Sequence, residues 1–277
     1  MSFSPKPRWY QFTLRTLVLL ITACCLPLGW LAYERNEVEK RERLILELEK
    51  VGGFAEFDES QPFRPTWMQP LLGPHYAGEV VGMNFVGGEA TNFEMDHLAS
   101  LTRLKSITLS DSRVTDAGLS PLARLKELQS VTLDGSRVSD AGLAHLAGLS
   151  NLKLLWLSDT GVTDAGLAQL QGLNRLESLS LDRTRITDQG LVHLAGLNQL
   201  QGLDLSGTRV TNDGLSRLAD LTNLRILNLH GTQITDAGLP YLYGLTNLTE
   251  IYLGRTKVSD EGYRELKKRL SGTRILR

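Results

Sequence analysis

From Leu104 almost to the C-terminus, the apolar positions return every 24 residues. In the copy that starts at Leu152, LKLLWLSDTGVTDAGLAQLQGLNR, leucines hold positions 1, 4 and 6 (Leu152, Leu155, Leu157) and then 16, 19 and 22 (Leu167, Leu170, Leu173). Strand side chains alternate between two faces, so positions 4 and 6 point the same way from a short strand, into a core. The second leucine group is spaced by three, as one face of a helix requires. Thr163-Asp164, just ahead of it, offers a capping hydroxyl and a carboxylate at the positive end of the helix dipole. Each unit is therefore predicted to run strand, turn, short helix. A fixed period of this length, kept through seven copies, is the mark of a solenoid.

Two further columns run through the copies. Position 9 is a small hydroxyl throughout (Ser112, Ser136, Thr160, Thr184, Thr208, Thr232, Thr256). Lying just past the strand, it predicts a ladder bonded to the backbone of neighbouring turns. Position 15 is glycine in every copy, from Gly118 to Gly262, although glycine inside a helix costs about 1 kcal/mol relative to alanine. Close approach of backbone is the predicted reason. A phosphate-cradling loop would cluster its glycines, whereas these recur once per coil.

As a consensus the unit reads L-x-x-L-x-L-x-x-T-x-V/I-T-D-x-G-L-x-x-L-x-x-L-x-x. It resembles the leucine-rich repeat, with Thr or Ser where Asn or Cys often stands. Its V-T-D-x-G-L signature, which runs over about seventy per cent of the chain, resembles the ribonuclease-inhibitor-like and F-box-adaptor-like repeat class, and is nearest to bacterial membrane-anchored leucine-rich-repeat proteins. The resemblance implies an α/β solenoid of right-handed strand-helix coils with a curved parallel sheet on its concave face. It also implies recognition of a protein and not a reaction. No F-box-like helical module precedes the repeats, which counts against a ubiquitin-ligase adaptor.

Both ends of the array depart from the consensus. One period before Leu104, Val80, Met83 and Phe85 take the strand positions and Met95, Leu98 and Leu101 the helix positions, but Asn92 and Glu94 replace the usual Asp and Gly. This is a degenerate first repeat, giving eight units. Upstream, Pro65 to Tyr76 carries Trp67, Leu71, Leu72 and Tyr76, enough apolar surface to close the first coil, as solenoid ends require. The last helix is charged, and Ile275 offers one more short strand.

The N-terminal region is of another kind. From Thr16 to Tyr33 there is no charged side chain, Trp9, Tyr10, Trp30 and Tyr33 bracket the run, and with Phe12 to Leu14 its length suits a bilayer. The expected layout is residues 1–11 as a short cytoplasmic N-terminus, 12–33 as a transmembrane anchor and 34–51 as a charged spacer helix. Residues 52–79 follow as linker and N-terminal cap, 80–271 as the solenoid and 272–277 as a C-terminal cap tail. Ile21-Thr22-Ala23-Cys24 resembles a lipobox, but the apolar run continues through Leu31, which favours an uncleaved anchor. The basic start (Lys6, Arg8, Arg15) places the repeats on the extracytoplasmic side of a single-pass membrane protein. Val38, Ile45, Leu48 and Val51 make a stripe on the spacer that allows a short dimeric coiled coil, and Gly52-Gly53 ends the helix before a short strand near Phe54 to Phe57.

Charge and cysteine usage narrow the chemistry. The formal net charge is −1 with no dominant basic face, so a nucleic-acid partner is not expected. Both cysteines, Cys24 and Cys25, sit in the apolar run, leaving no disulfide framework or thiolate metal site in the repeats. His145 and His193 share a helix position two coils apart, too far for one metal at about 4.8 Å per coil. The Asp column (Asp116, Asp140, Asp164, Asp188, Asp236, Asp260) reads as helix capping rather than as calcium ligands. No catalytic residues, cofactor or metal are expected.

Variation is concentrated on the strand positions that face away from the leucines. Positions 3, 5 and 7 stack across coils into a concave surface, where Leu154 with Trp156 and Ile226 with Tyr252 form two apolar patches separated by Asp182 and Asp204. Asn228, His230 and Glu250 complete the expected partner-binding set. Aromatics beside carboxylates suit a protein or peptide ligand. The expected function is a membrane-anchored recognition module. The alternative is a structural envelope protein self-associating through its spacer or outer helices, with an enzyme the least supported reading.

Overall fold

The structure of the protein, a computed structural model, describes residues 14–58, 78–85 and 90–277, and their side chains apart from those of 14–24 and Pro27. The chain divides into two compact units, one holding 14–44 and the other holding 45–58 with 78–277 among the described residues. The expected cap segment, Pro65 to Tyr76, lies outside them.

Helix α1 (Leu14–Glu49) is continuous for 36 residues, joining the stretches assigned to anchor and spacer in one element. Among the described residues no helix is long and apolar enough to cross a membrane. Leu26, Leu28, Trp30 and Tyr33 of α1 are nevertheless exposed. Further along, Arg35 pairs with Glu39 at 2.8 Å and Lys40 with Glu37 at 2.7 Å, so part of the spacer's mixed charge is satisfied along its own helix. Val38, Ile45 and Leu48, the stripe that suggested a coiled coil, are buried within the single chain. The helix stops at the paired glycines, where Val51 and Gly52 donate back to Leu48 and Glu49 and Gly52 adopts a φ of 80°.

In the second unit ten strands form one sheet in chain order: β1 (Gly53–Asp58), β2 (Glu79–Phe85), β3 (Ser106–Thr108), β4 (Ser130–Thr132), β5 (Leu154–Trp156), β6 (Ser178–Ser180), β7 (Gly202–Asp204), β8 (Ile226–Asn228), β9 (Glu250–Tyr252) and β10 (Arg274–Leu276). Strand β1 pairs antiparallel with β2 and every later pair is parallel. From β2 onward the register equals the repeat: Ile107 pairs with Val131, Leu155 with Leu179, Ile251 with Ile275. One sequence period is thus one step of the sheet.

The leucine columns fill the space between the sheet and the return segments. Leu152, Leu155, Leu157, Val162, Leu167, Leu170 and Leu173 are all at 0% exposure, so each coil hides its whole apolar set against its neighbours. The return segments mix α and 3-10 geometry, from the α-helix Asp140–Leu146 to the 3-10 segment Asp116–Arg124. A leucine spacing of three favours this tightening, because side chains at i and i+3 eclipse in a 3-10 turn.

Three columns behave differently from the expectation. The Asp column binds across coils as well as standing at its own helix start. Asp140 accepts the Thr163 backbone N–H at 2.7 Å and the Thr163 hydroxyl at 2.6 Å, and Asp116, Asp164, Asp188 and Asp236 do the same to Ser139, Thr187, Thr211 and Ser259. Asn92 and Asn212 substitute by accepting from the next coil's backbone and donating to its hydroxyl. The glycine column follows from this: a β-carbon on Gly142 or Gly238 would lie 2.5 Å from Oδ1 of Asp116 or Asn212. The close neighbour is a side chain of the preceding coil, where backbone was expected. Glu94 takes the glycine position of the first repeat and folds back onto Thr91 as a capping box.

The position-9 hydroxyls also bond differently. Thr160, Thr184, Thr208, Thr232 and Thr256 each donate at 2.6 Å to the carbonyl three residues back in their own turn (Leu157, Leu181, Leu205, Leu229, Leu253). The bonds staple the strand's exit within one coil instead of bridging neighbours. Ser112 and Ser136, buried in the same column, have no partner for the hydroxyl among the described residues.

Candidate recognition surface

Strands of only three residues still carry three outward columns, since positions 3 and 5 belong to the strand and position 7 follows it. The sheet places all nine predicted residues on this face. Ile226 is 45% exposed and His230 is exposed, while Leu154, Trp156, Asp182, Asp204, Asn228, Glu250 and Tyr252 are half-buried. Trp156, in register with Thr132 and Ser180 on the adjoining strands, faces outward and is half-buried.

Between Leu154 and Ile226 the position-3 column drops to Ser178 and Gly202. These four line an open depression of about 360 Å³, with Glu177, Gln201, Arg225 and Thr249 along the strand-entry side. The two apolar side chains that looked like members of separate patches are opposite walls of one notch. Only the small residues between them, read as part of a sheet, carried that signal in the sequence.

At the strand exits the face is polar and cross-linked. The Ser206 hydroxyl lies 2.8 Å from Asp182 Oδ1 and 2.5 Å from Asp204 Oδ1, its one proton shared between the two, and Asn228 Nδ2 donates to the other oxygen of Asp204 at 2.9 Å. Asn228 Oδ1 in turn accepts the His230 N–H at 3.0 Å. The Tyr252 hydroxyl donates to Glu250 at 2.7 Å. That bond raises the phenol pKa above its ordinary value of 10.0, with desolvation and the Glu250 charge adding to it.

Position 8, which the sequence reading passed over, forms the rim. It adopts a left-handed conformation in all seven coils, at Asp111, Gly135, Asp159, Arg183, Gly207, Gly231 and Arg255. Asp and Gly are residues that tolerate positive φ, and their recurrence there was the available signal. Arg183, at φ 53°, ion-pairs with Asp159 of the preceding coil and with Asp182 at 2.6 Å. The hydrogen bond from Arg183 holds the Asp159 carboxyl below the usual carboxylate value and the guanidinium is held more firmly protonated.

His193 shares a 2.7 Å hydrogen bond with Gln171 on the outer face. Among the described residues no cluster of three or more His, Cys, Asp or Glu is placed to hold a metal ion.

Family models for leucine-rich repeats match residues 222–265, as two copies, and 198–219. Internalin C2 of Listeria monocytogenes is similar at 30% identity, over 71% of this chain and 80% of its own, with a TM-score of 0.58. The chain belongs to the leucine-rich-repeat proteins. Internalin F of the same organism aligns at 23% identity over 65% of this leucine-rich-repeat chain and 69% of its own, with a TM-score of 0.40. The plant peptide hormone receptor RGFR1, solved with RGF2, aligns at 16% over 65% of this chain and 29% of its own, with a TM-score of 0.46. No curated protein matches the chain by sequence.

Proposed function

We propose that the solenoid is a recognition module that holds a protein or peptide partner on its concave face, and that α1 tethers it to a membrane with the repeats on the extracytoplasmic side. The observation that carries the binding reading is Ile226, 45% exposed on a strand and facing Leu154 across the notch. A branched apolar side chain held in water on a concave sheet adds little to the core, whose leucines are already sealed. It suits an interface anchor. The tether is supported by the charge-free run from Thr16 to Tyr33 and by the exposed Leu26, Leu28 and Trp30 on α1. Self-association through the spacer needs an apolar seam there, and Val38, Ile45 and Leu48 are already covered; self-association through the outer helices rests on Tyr241, which is exposed.

Capture of envelope proteins by the full-length chain, with melting measured on the same preparations, tests the binding reading. Trp156→Ala and Ile226→Ala are expected to weaken capture by about thirtyfold, the equivalent of roughly 2 kcal/mol at an interface anchor. Ile226→Ala should leave the melting temperature within a degree or two. Undiminished capture by both variants would move the site off this face. For the tether, the intact mass of membrane-extracted protein should correspond to a retained N-terminus. A chain beginning at Cys24 with added lipid mass would replace the anchor by a lipoprotein.

A further inference from the structure

Across its width the concave face changes character. At the strand-entry side lies the apolar notch of Leu154 and Ile226 over Ser178 and Gly202, rimmed by Arg225. At the strand-exit side stand the carboxylates of Asp134, Asp159 and Asp182, with that of Asp204 nearer the middle, and the Arg183 guanidinium bridges Asp159 and Asp182. Between them runs the position-5 column, where Asp204 and Asn228 present polar atoms, Ser180 is buried, and the aromatic rings of Trp156 and Tyr252 stand at either end of the stretch.

An extended segment laid along the solenoid over the position-5 column sends successive side chains to opposite sides, because a strand alternates with period 2. Its two edges therefore meet two different chemistries. Trp156 and Tyr252 are four coil steps apart, roughly 19 Å at about 4.8 Å per step, which an extended chain covers in about six residues. Same-side residues of that segment lie about 6.6 Å apart, so the notch over β6 and β7 has room for two of them.

Resting on the concave-face reading, we infer that the ligand is an extended segment of about six residues in which apolar and basic side chains alternate. The apolar ones seat in the notch over Ser178 and Gly202. The basic ones reach the net-negative exit rim at Asp182 and Asp204, where excess carboxylate charge over Arg183 supplies the complementarity. The Asn228 side-chain amide faces the segment's backbone.

Selection of a random hexapeptide library on the full-length chain in lipid nanodiscs, against empty discs, tests this. Enriched peptides are expected to alternate apolar with Lys or Arg. Gly202→Leu, which fills the notch, and Asp204→Asn should each reduce their binding more than tenfold, and raised salt should weaken it. A β-carbon on Gly202 would meet only the Ser178 side chain, at 3.2 Å, so the substitution should fold. Ser178→Leu fills the same notch from the next strand if it does not. Enriched peptides that are acidic or lack alternation, or that bind Gly202→Leu and Asp204→Asn unchanged while failing on Trp156→Ala, overturn the inference and leave the concave-face reading standing. Peptides insensitive to all of these variants, or no enrichment over empty discs, overturn both.

Discussion

Asp140 Oδ1 sits where a β-carbon on Gly166, one coil further on, would have to go. The same carboxylate takes both the N–H and the hydroxyl of Thr163, so Asp140, Thr163 and Gly166 form one joint between two coils. Helix propensity alone makes Gly166→Ala stabilising by about 1 kcal/mol. The joint makes the opposite expectation: crowding of Asp140 should cost about 1 to 3 kcal/mol. Asp140→Ala should cost a similar amount by leaving the Thr163 N–H unpaired. Since one variant removes what the other collides with, the double variant should lose clearly less than the two losses combined. Urea midpoints of the four proteins decide it, and simple additivity would break the proposed linkage.

The hydroxyl column predicts a contrast within one position. Thr184 donates to the Leu181 carbonyl at 2.6 Å, whereas the Ser136 hydroxyl has no partner among the described residues. Thr184→Val should therefore destabilise by about 1 kcal/mol, and no more, because the Thr184 N–H still reaches the same carbonyl at 3.2 Å. Ser136→Ala should cost less than half of that. Equal losses in thermal melts at the two sites would show that the column acts through packing and not through its bonds.

Arg255 holds a φ of 55° at a position where Gly231 and Gly207 do the same without a β-carbon to accommodate. A left-handed conformation costs an ordinary residue about 1 kcal/mol. Arg255→Gly is expected to stabilise the chain by up to that amount, and Gly231→Ala to destabilise it comparably. The comparison is cleaner at Arg255 than at Arg183, whose guanidinium also ties Asp159 to Asp182. A destabilised Arg255→Gly protein would mean that its side chain holds the rim together.

Much of this fold was legible in the sequence, because a 24-residue period that equals the sheet register leaves little freedom. Leu155 and Leu157 had to face inward, and Trp156 between them outward. What stayed hidden depended on the neighbour one coil away. The consensus shows Asp at position 13 and Gly at position 15 of the same unit, but the contact runs from Asp140 to Gly166, in successive units. Nor could the repeat pattern tell that Thr184 bonds inside its own turn, since a hydroxyl column suits either geometry. The notch between Leu154 and Ile226 was missed for a simpler reason: it is made by the absence of side chains at Ser178 and Gly202, and attention to large residues passes over small ones.

Tyr252 stands at one end of the polar stretch on the outward strand face, and its ionisation reports on that end alone. Its hydroxyl donates to Glu250 at 2.7 Å, a bond that only the neutral phenol can make, so its pKa lies above 10.0 in the folded chain. Because the folded value is raised, the stability this pair contributes is present below pH 10 and is lost as the pH climbs through the higher folded value. Ultraviolet titration of the full chain, with Tyr252→Phe as the subtracted reference, should isolate a midpoint above that of free tyrosine. Glu250→Gln should bring the midpoint down, because the amide removes the charge that disfavours phenolate. Arg274, 3.7 Å from Glu250, works in the opposite sense, so Arg274→Gln should push the midpoint further up. A Tyr252 signal that stays at the ordinary value, or that ignores both substitutions, would mean the ring is not anchored by Glu250 and is free to swing away from the face on which the ligand is expected to lie.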